Sequence, residues 1–319
     1  MEPGKDTLSE YLDRWLADAA KPQVREHAYR DYTSLLARYV RPVLGDRRLC
    51  DLGALDVQGL YAGMLDRGLS ARTVHYTHAV LRQTLGQAVR WGMLARNVAT
   101  LVDLPRQERA EMHALSQEEA ARFLAVAEEG RWGVLFAFAA ATGMRLGEYL
   151  ALRWVDVDLR ADTARMTRAL VRGKDGYRFE DPKTPKSRRA VPLPASTTKA
   201  LVAHKVCQAE ARLRAGERWR DLGLVFAGDD GGALDAHNLV ARHFKPALQA
   251  AGLPKTVRLY DLRHTCATLL LLAEMRPKVV AERLGHASVT LTLDTYSHVL
   301  PTMQEEEAGR LEALLYGGR

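Results

Sequence analysis

Apolar residues recur at intervals of three and four through the first third of the chain. In "TLSEYLDRWLADA", Leu8, Tyr11, Leu12, Trp15 and Leu16 fall on one helical face. "REHAYRDYTSLLARYVRPVLG" repeats the pattern up to a Pro and a Gly, residues that break helices by geometry. "DVQGLYAGMLDRG" and "SARTVHYTHAVLRQTLGQAVRWGML" predict two more helices, the second with Ser70 as its N-cap. A small all-helical domain is therefore expected from Thr7 to near Asn97. The character changes at "LVDLPRQERAEMHALSQEEA", where Pro105 and a short charged segment read as a linker. Ser116 with Glu119 then forms a capping box for a new helix. The expected division is a helical domain over 1–105, a linker over 106–114 and a second domain over 115–319.

The second domain opens with helices. "RWVDVDLRADTARMTRALVRGKDGYRFEDPKTPKSRRAVPLP" then alternates apolar and polar positions between turn signals, which predicts a three-stranded antiparallel sheet. From Thr197 helical periodicity returns, interrupted by "LVFAGDDGGALD". The expected fold is mainly α with a small antiparallel β-sheet. The most apolar runs, "WGVLFAFAAATGM" and "CATLLLLAEM", are shorter than the roughly 20 residues of a membrane span and read as buried core helices. The sequence contains no internal repeat and no low-complexity tract.

Composition narrows the field. The 319 residues are enough for two separate cores. A hydrophobic fraction of 47% and a charged fraction of 27% are ordinary for a soluble globular protein. The formal charge of +7 and a pI of about 9.4 suit a polyanionic partner and equally a basic solvated surface. Cys50, Cys207 and Cys266 are dispersed and odd in number, which indicates neither a disulfide framework nor a zinc site. The acidic N-terminus lacks the basic start and apolar core of a signal peptide, so a cytoplasmic protein is expected, without membrane association.

Four separated clusters carry reactive or anion-binding side chains. In "ATGMRLGEYLALRW", Thr142 and Gly143 are expected to start a helix with Arg145 in its first turn, where backbone amides and the positive dipole end favour an anion. Leu146, Tyr149, Leu150 and Arg153 follow the core-facing period, and Glu148 is spaced to orient the Arg145 guanidinium. The same spacing also suits an ordinary surface ion pair. In "EDPKTPKSRRAVPLP", a basic turn between strands, Lys183 is the candidate for protonating a leaving oxygen or entering a DNA groove. Lys174 and Lys186 are alternatives, and a solvated charged loop is the plainer reading. "RLYDLRHTCATLLLLAEM" is expected to set Tyr260 and Arg263 together at a helix start capped by Asp261, ahead of a buried stretch from Ala267 to Leu272. Arg145 and Arg263 converging on one phosphate would neutralise the oxygens of a trigonal-bipyramidal transition state. In "LGHASVTLTLDTYSH", Gly285 ends a helix, His286 follows it, Ser288 caps the next helix and Tyr296 lies near that helix's end. One at a time, these clusters fit core, capping and surface roles.

Together and in this order, Arg145, Lys183, Tyr260-x-x-Arg263, His286 and Tyr296 resemble the active-site set of the tyrosine recombinases, the phage integrase family. "TGMRLGE", "SRRAVPLP", "DLRHTCAT", "LGHASVTLTLDTYSHV" and "GLSARTVHYTHAVLRQTLGQAVRWGML" extend the resemblance over nearly the whole chain. It implies an all-helical core-type DNA-binding domain followed by an α+β catalytic domain, clamped around a duplex by a linker containing Arg106 and Arg109. It further implies that Tyr296 attacks a scissile phosphate, leaving a 3′-phosphotyrosyl link and a free 5′-hydroxyl. Arg145, Arg263 and His286 would bind the non-bridging oxygens and Lys183 would protonate the departing oxygen, with no cofactor and no metal. The implied partners are double-stranded DNA recombination sites, on which four protomers exchange strands through a Holliday junction, together with accessory DNA-bending or excisionase proteins. By the same resemblance "TMQEEEAGRLEALLYG", with Met303, Leu311, Leu314 and Leu315 on an apolar stripe, packs into a neighbouring protomer; packing on its own domain is the alternative.

One position departs from the family pattern. Tyr260 stands where the family usually has the His of His-x-x-Arg, and a phenol of ordinary pKa, about 10, donates a hydrogen bond but accepts a proton poorly at neutral pH. Integration or excision of a phage or mobile element is the expected task. Two other readings stay open: Xer-type resolution of chromosome or plasmid dimers, consistent with a chain that starts directly at the helical domain, and a catalytically impaired DNA-binding accessory protein, which Tyr260 alone favours.

Overall fold

The first apolar stripe is buried as its spacing requires. In the computed structural model, which describes residues 6–107, 113–173, 176–181, 188–296, 312, 315 and 316, the chain divides into two units, Met1–Ala110 and Glu111–Arg319. In the first unit, helical segments Leu8–Arg14, Trp15–Ala20 and Lys21–Gln23 follow one another without a break. Thr7 and Glu10 form a reciprocal cap: the Thr7 hydroxyl accepts from the Glu10 amide at 3.2 Å and the Glu10 carboxylate accepts from the Thr7 amide at 2.7 Å. Leu8, Tyr11, Leu12, Trp15 and Leu16 are all buried, and the Tyr11 hydroxyl donates to the Thr84 carbonyl at 2.7 Å. The segments Glu26–Leu35, Leu36–Val40 and Arg41–Leu44, then Ala54–Asp66 and Ala71–Arg90, complete this core. Ser70 caps the last of these by accepting from the Thr73 amide.

Pro42 does not end its helix, contrary to the sequence expectation. The preceding turn, Leu36–Val40, is π-helical, and the helix passes through Pro42 to Leu44. Two other π-helical turns, Trp15–Ala20 and Val240–Phe244, precede Pro22 and Pro246 in the same way. Widening the turn moves the carbonyl that a proline ring would strike and removes the demand for the amide proton it lacks.

The second unit begins as the Ser116–Glu119 capping box predicts, with helix Gln117–Glu128. Gly133–Thr142 and Leu146–Leu150 follow, then strands β1 (Val157–Asp158), β2 (Thr163–Met166), β3 (Ala169–Gly173), β4 (Gly176–Glu180) and β5 (Arg189–Pro192). The expected three-stranded antiparallel sheet exists in the order β1-β2-β5, with Ala164 opposite Val191 and Met166 opposite Arg189. The intervening β3–β4 hairpin is a separate two-stranded sheet, which corrects the single-sheet expectation. Just after β2, Arg168 donates to the Ala151 carbonyl at 2.9 Å and its guanidinium lies 3.9 Å over the Phe179 ring, drawing the chain out of the first sheet. Gly147 lets the short helix approach β3 closely, since a Cβ there would lie 2.7 Å from the Leu170 carbonyl oxygen.

Helix Ala195–Ala215 and the segments Ala236–Leu239, Val240–Phe244 and Lys245–Ala250 lead to helices Asp261–Leu272, Pro277–Leu284 and Val289–Tyr296. Phe123, Phe136 and Phe244 interlock at the centre of the main core. A smaller cluster of Ala267, Leu271, Val280, Leu284 and Tyr296 anchors the last helices. Among the described residues, no helix is long and apolar enough to cross a membrane.

Candidate active site

Thr142 and Gly143 end a helix rather than start one, a correction to the sequence reading. Gly143 caps Gly133–Thr142 in the left-handed region at φ 62°, a conformation that favours glycine. Its amide donates to the Ala139 carbonyl at 3.0 Å, and a Cβ would lie 2.7 Å from Leu284 Cδ2. Arg145 is then the N-cap of Leu146–Leu150. The helix stops at Leu150, so Arg153 lies beyond it, while Tyr149 and Leu150 are buried as expected.

Glu148 is the anionic centre of this region. It is 5% exposed and accepts from Arg145 Nη1 at 2.9 Å, from the Arg145 amide at 3.0 Å and from Arg189 Nη2 at 2.8 Å. Burial pushes its pKa up, but the hydrogen bond and charge of Arg189, followed by those of Arg145, outweigh burial and hold the carboxyl below its ordinary range. Arg189, on β5, also donates from Nε to the Arg283 carbonyl at 2.6 Å. Arg283 in turn reaches the carbonyls of Ala141 and Pro192. These bonds tie the sheet edge to the turn that precedes His286. Arg145 Nη2 contacts the same turn through the Gly285 carbonyl at 3.3 Å.

Arg263 sits in the first turn of Asp261–Leu272 and is 3% exposed. Its Nη1 donates to the Gly143 carbonyl at 2.6 Å, whereas the buried Nη2 has no hydrogen-bond partner among the described residues. Burial, then the neighbouring Arg145, lower its pKa to about 10. A buried guanidinium with an unused donor is matched to an incoming anion. Asp261 is not the N-cap expected of it. It is the first helical residue, and its carboxylate accepts from the Arg258 amide at 2.7 Å and from the Arg258 guanidinium, so it is already engaged. Burial on this helix runs without a break from Asp261 to Ala267; in the expected stretch Ala267 and Leu271 are buried, the residues between them are half-buried and Leu272 is exposed.

Gly285 ends Pro277–Leu284 in the left-handed conformation, φ 69°, as the sequence indicates, and the His286 amide closes the turn onto the Ala281 carbonyl at 2.9 Å. Ser288 accepts from the Thr290 amide at the start of the next helix. His286 is half-buried and its Nδ1 pairs with the Thr292 hydroxyl at 2.7 Å. Burial, then the charges of Arg263, Arg145 and Arg189, push its pKa down to about 4. Tyr296, the last residue of Val289–Tyr296, is 1% exposed, and burial drives its phenol far above the ordinary value against a small opposing effect from Arg263.

Arg145, Glu148, Arg263, His286 and Tyr296 therefore form one neighbourhood, and Tyr260 stands at its rim. Tyr260 is 43% exposed, and among the described residues none hydrogen-bonds its hydroxyl. Lys183 and its alternatives Lys174 and Lys186 lie outside the described residues, as do Arg109, Met303, Leu311 and Leu314. Two participants escaped the sequence reading. Arg189 had its signal in "SRRAVPLP", and His264 in "DLRHTCAT", directly after Arg263. The Tyr296 hydroxyl is 2.9 Å from His264 Nδ1, and the His264 ring lies edge-on to Tyr260 with centroids 5.1 Å apart.

Comparison with known proteins agrees over both units. The profile of the Phage integrase family matches residues 113–303, and that of the phage integrase N-terminal SAM-like domain matches residues 7–65. A tyrosine recombinase XerC-like protein of Caldanaerobacter subterraneus subsp. tengcongensis is 28% identical over 97% of this chain and 83% of its own length. An integrase of Streptomyces ambofaciens is 31% identical over 93% of this chain and 78% of its own. The Tn1549 transposon integrase, solved in complex with transposon right end DNA, superposes with a TM-score of 0.83 at 20% identity, covering 96% of this chain and all of the other. A lambda integrase tetramer bound to a Holliday junction gives a TM-score of 0.67 at 20% identity, covering 91% of this chain and 77% of the other.

Proposed function

We propose, from the premise that this chain belongs to the phage integrase family and is a tyrosine-type site-specific DNA recombinase, that Tyr296 is its nucleophile and that the surrounding cations form its phosphate site. The observation that carries this reading is that Arg263 faces Arg145, His286 and the buried Tyr296 phenol at once, side chains contributed by separate chain segments. Attack by the Tyr296 oxygen on a scissile phosphate forms the P–O bond to tyrosine and releases the 5′-oxygen. The phosphodiester energy is kept in the covalent link, so rejoining needs no nucleotide. Arg263 Nη2 offers a donor not used elsewhere. Arg145, fixed by Glu148, offers a second guanidinium, and His286, neutral at pH 7, offers a hydrogen bond to a non-bridging oxygen. Tyr260, exposed at the rim, supplies a phenol donor. Lys183 is the proposed acid for the leaving oxygen, a role supported by its place in the basic "DPKTPKS" segment next to β5.

The partners proposed are double-stranded DNA recombination sites, with four protomers acting together, since a DNA-bound relative in fold forms a tetramer on a Holliday junction. Accessory DNA-bending or excisionase proteins complete the proposed assembly. Integration and excision of a mobile element is the favoured task, in keeping with the relatives named as integrases. Dimer resolution is a second reading, favoured by the XerC-like relative.

The test is a nicked suicide duplex carrying the core site, the site being selected from a randomised duplex library by binding to the Tyr296→Phe protein. In EDTA the wild type is expected to trap a covalent DNA adduct visible after denaturing electrophoresis, and Tyr296→Phe to bind without forming it. An adduct on the Phe variant, or a strict requirement for magnesium, overturns the assignment.

A further inference from the structure

The departure at Tyr260 raises the question of which described residue accepts the nucleophile's proton. Nucleophilic attack by a buried phenol requires its proton to go somewhere, because transfer to bulk water is closed to a side chain that is 1% exposed. The carboxylate of Glu148 is already shared by Arg145 and Arg189. His286 Nδ1 is occupied by the Thr292 hydroxyl. Tyr260 carries a phenol no better suited to accept a proton than the nucleophile itself.

Among the described residues, one group meets the geometric requirement. His264 Nδ1 lies 2.9 Å from the Tyr296 oxygen, within the range of direct proton transfer. Its ring is fixed by being nine-tenths buried on the same helix as Arg263, one residue further on, and by the edge-on contact with Tyr260. On the proposed reading that Tyr296 is the nucleophile, we infer that His264 is the general base of this recombinase, and that the Tyr260 ring serves as the wall that orients it.

The step balances without any further reactant. The Tyr296 O–H bond breaks, its electron pair forms the bond to phosphorus, and the proton moves to the lone pair of His264 Nδ1, whose Nε2 carries the other ring proton. The P–O5′ bond breaks, and its electron pair leaves with the 5′-oxygen, which takes a proton from the acid. Rejoining reverses each transfer, with imidazolium returning its proton to the tyrosine oxygen. Burial lowers the basicity of His264, so the ring is neutral and able to accept at pH 7, and the phosphate's negative charge then stabilises the imidazolium formed during attack.

The experiment uses the full chain and the nicked core duplex in single turnover. His264→Asn keeps a polar atom near Nδ1 but cannot take a proton at neutral pH. It is expected to bind the duplex as the wild type does and to form the covalent adduct about 100-fold more slowly, the usual scale of general base catalysis. His264→Ala is expected to be slow and to regain rate with added imidazole, and it serves as the test should the Asn variant fail to bind DNA. A duplex with sulfur in place of the bridging 5′-oxygen, which removes the need for a leaving-group acid, is expected to leave both variants slow. Wild-type rates for His264→Asn, a faster-than-wild-type His264→Ala, absence of imidazole rescue, or recovery on the sulfur substrate would each overturn the inference. An adduct on Tyr296→Phe sinks instead the nucleophile assignment on which it rests, so the two failures are separable.

Discussion

Replacing Glu148 with Gln preserves volume and removes one charge from the middle of a cluster of guanidinium groups. The native carboxylate accepts three hydrogen bonds, two of them from Arg145 and Arg189 side chains at 2.9 and 2.8 Å. A Gln amide serves one guanidinium with its oxygen and turns an N–H toward the other. At least one charge-assisted bond, worth about 1.5–3 kcal/mol, is lost. The Arg189 side chain, only 8% exposed, loses the charge of Glu148 from among its partners, and breaking a buried ion pair costs about 3–5 kcal/mol at its upper end. We expect a loss of roughly 2–4 kcal/mol, and at about 2–4 °C per kcal/mol for a region of this size, a fall in melting temperature of roughly 5–15 °C. The pH dependence has a definite sign. The folded pKa of Glu148 is depressed below 4.5, so its contribution is present above the unfolded carboxylate value and is lost as pH falls through the folded one. The gap between wild type and Glu148→Gln is therefore widest near pH 7 and closes as the pH falls below the ordinary carboxylate range and through the depressed folded value. Circular dichroism melts at pH 7 and in acid measure it. A Gln variant within about 0.5 kcal/mol of wild type at pH 7, or a gap that widens in acid, would refute the reasoning.

Gly143→Ala places a Cβ on a left-handed residue, 2.7 Å from Leu284 Cδ2, beside the carbonyl that holds Arg263. It is expected to cost at least about 1–2 kcal/mol in urea unfolding and to slow adduct formation more than DNA binding; an unchanged cleavage rate would show that the Gly143 carbonyl does not position Arg263. His286 is expected to titrate at about 4 in the DNA-free protein, seen through its ring C–H signal in proton NMR, and higher if orthovanadate binds at the proposed phosphate site, because an anion favours the imidazolium. A midpoint already near 6.5 without ligand would contradict the proximity of the three arginines.

Local signals in the sequence were sufficient for the helical first unit, the caps at Ser70 and Ser116, the glycine stop at Gly285 and the small antiparallel sheet. They were insufficient wherever a neighbour remote in sequence decides the outcome. Thr142–Gly143 has the same local chemistry whether a helix begins or ends there, and only the approach of Leu284 and Arg263 fixes the glycine as an ending. Asp261 looks like a cap until Arg258 claims its carboxylate. The hairpin β3–β4 separates from its sheet through Arg168, whose ring contact and carbonyl partner are invisible to alternation patterns. His264 reads as one more residue of an apolar helix, because its partner Tyr296 lies 32 positions away. The five candidate site residues within the described part stand out by their order along the chain, whereas their supporting groups are recognisable only from contacts.

Like charges held together by packing have a mechanical meaning. Arg145 and Arg189 both donate to the Glu148 carboxylate, and Arg263 beside them keeps one N–H without an acceptor among the described residues, so positive charge is concentrated here. A concentration of this kind is relieved most when the incoming group carries the greatest density of negative charge, and a pentacoordinate phosphorus carries more on its equatorial oxygens than the diester it came from. On the proposed assignment, the fold thus keeps a tension that intact DNA would relieve in part and the half-broken strand would relieve further.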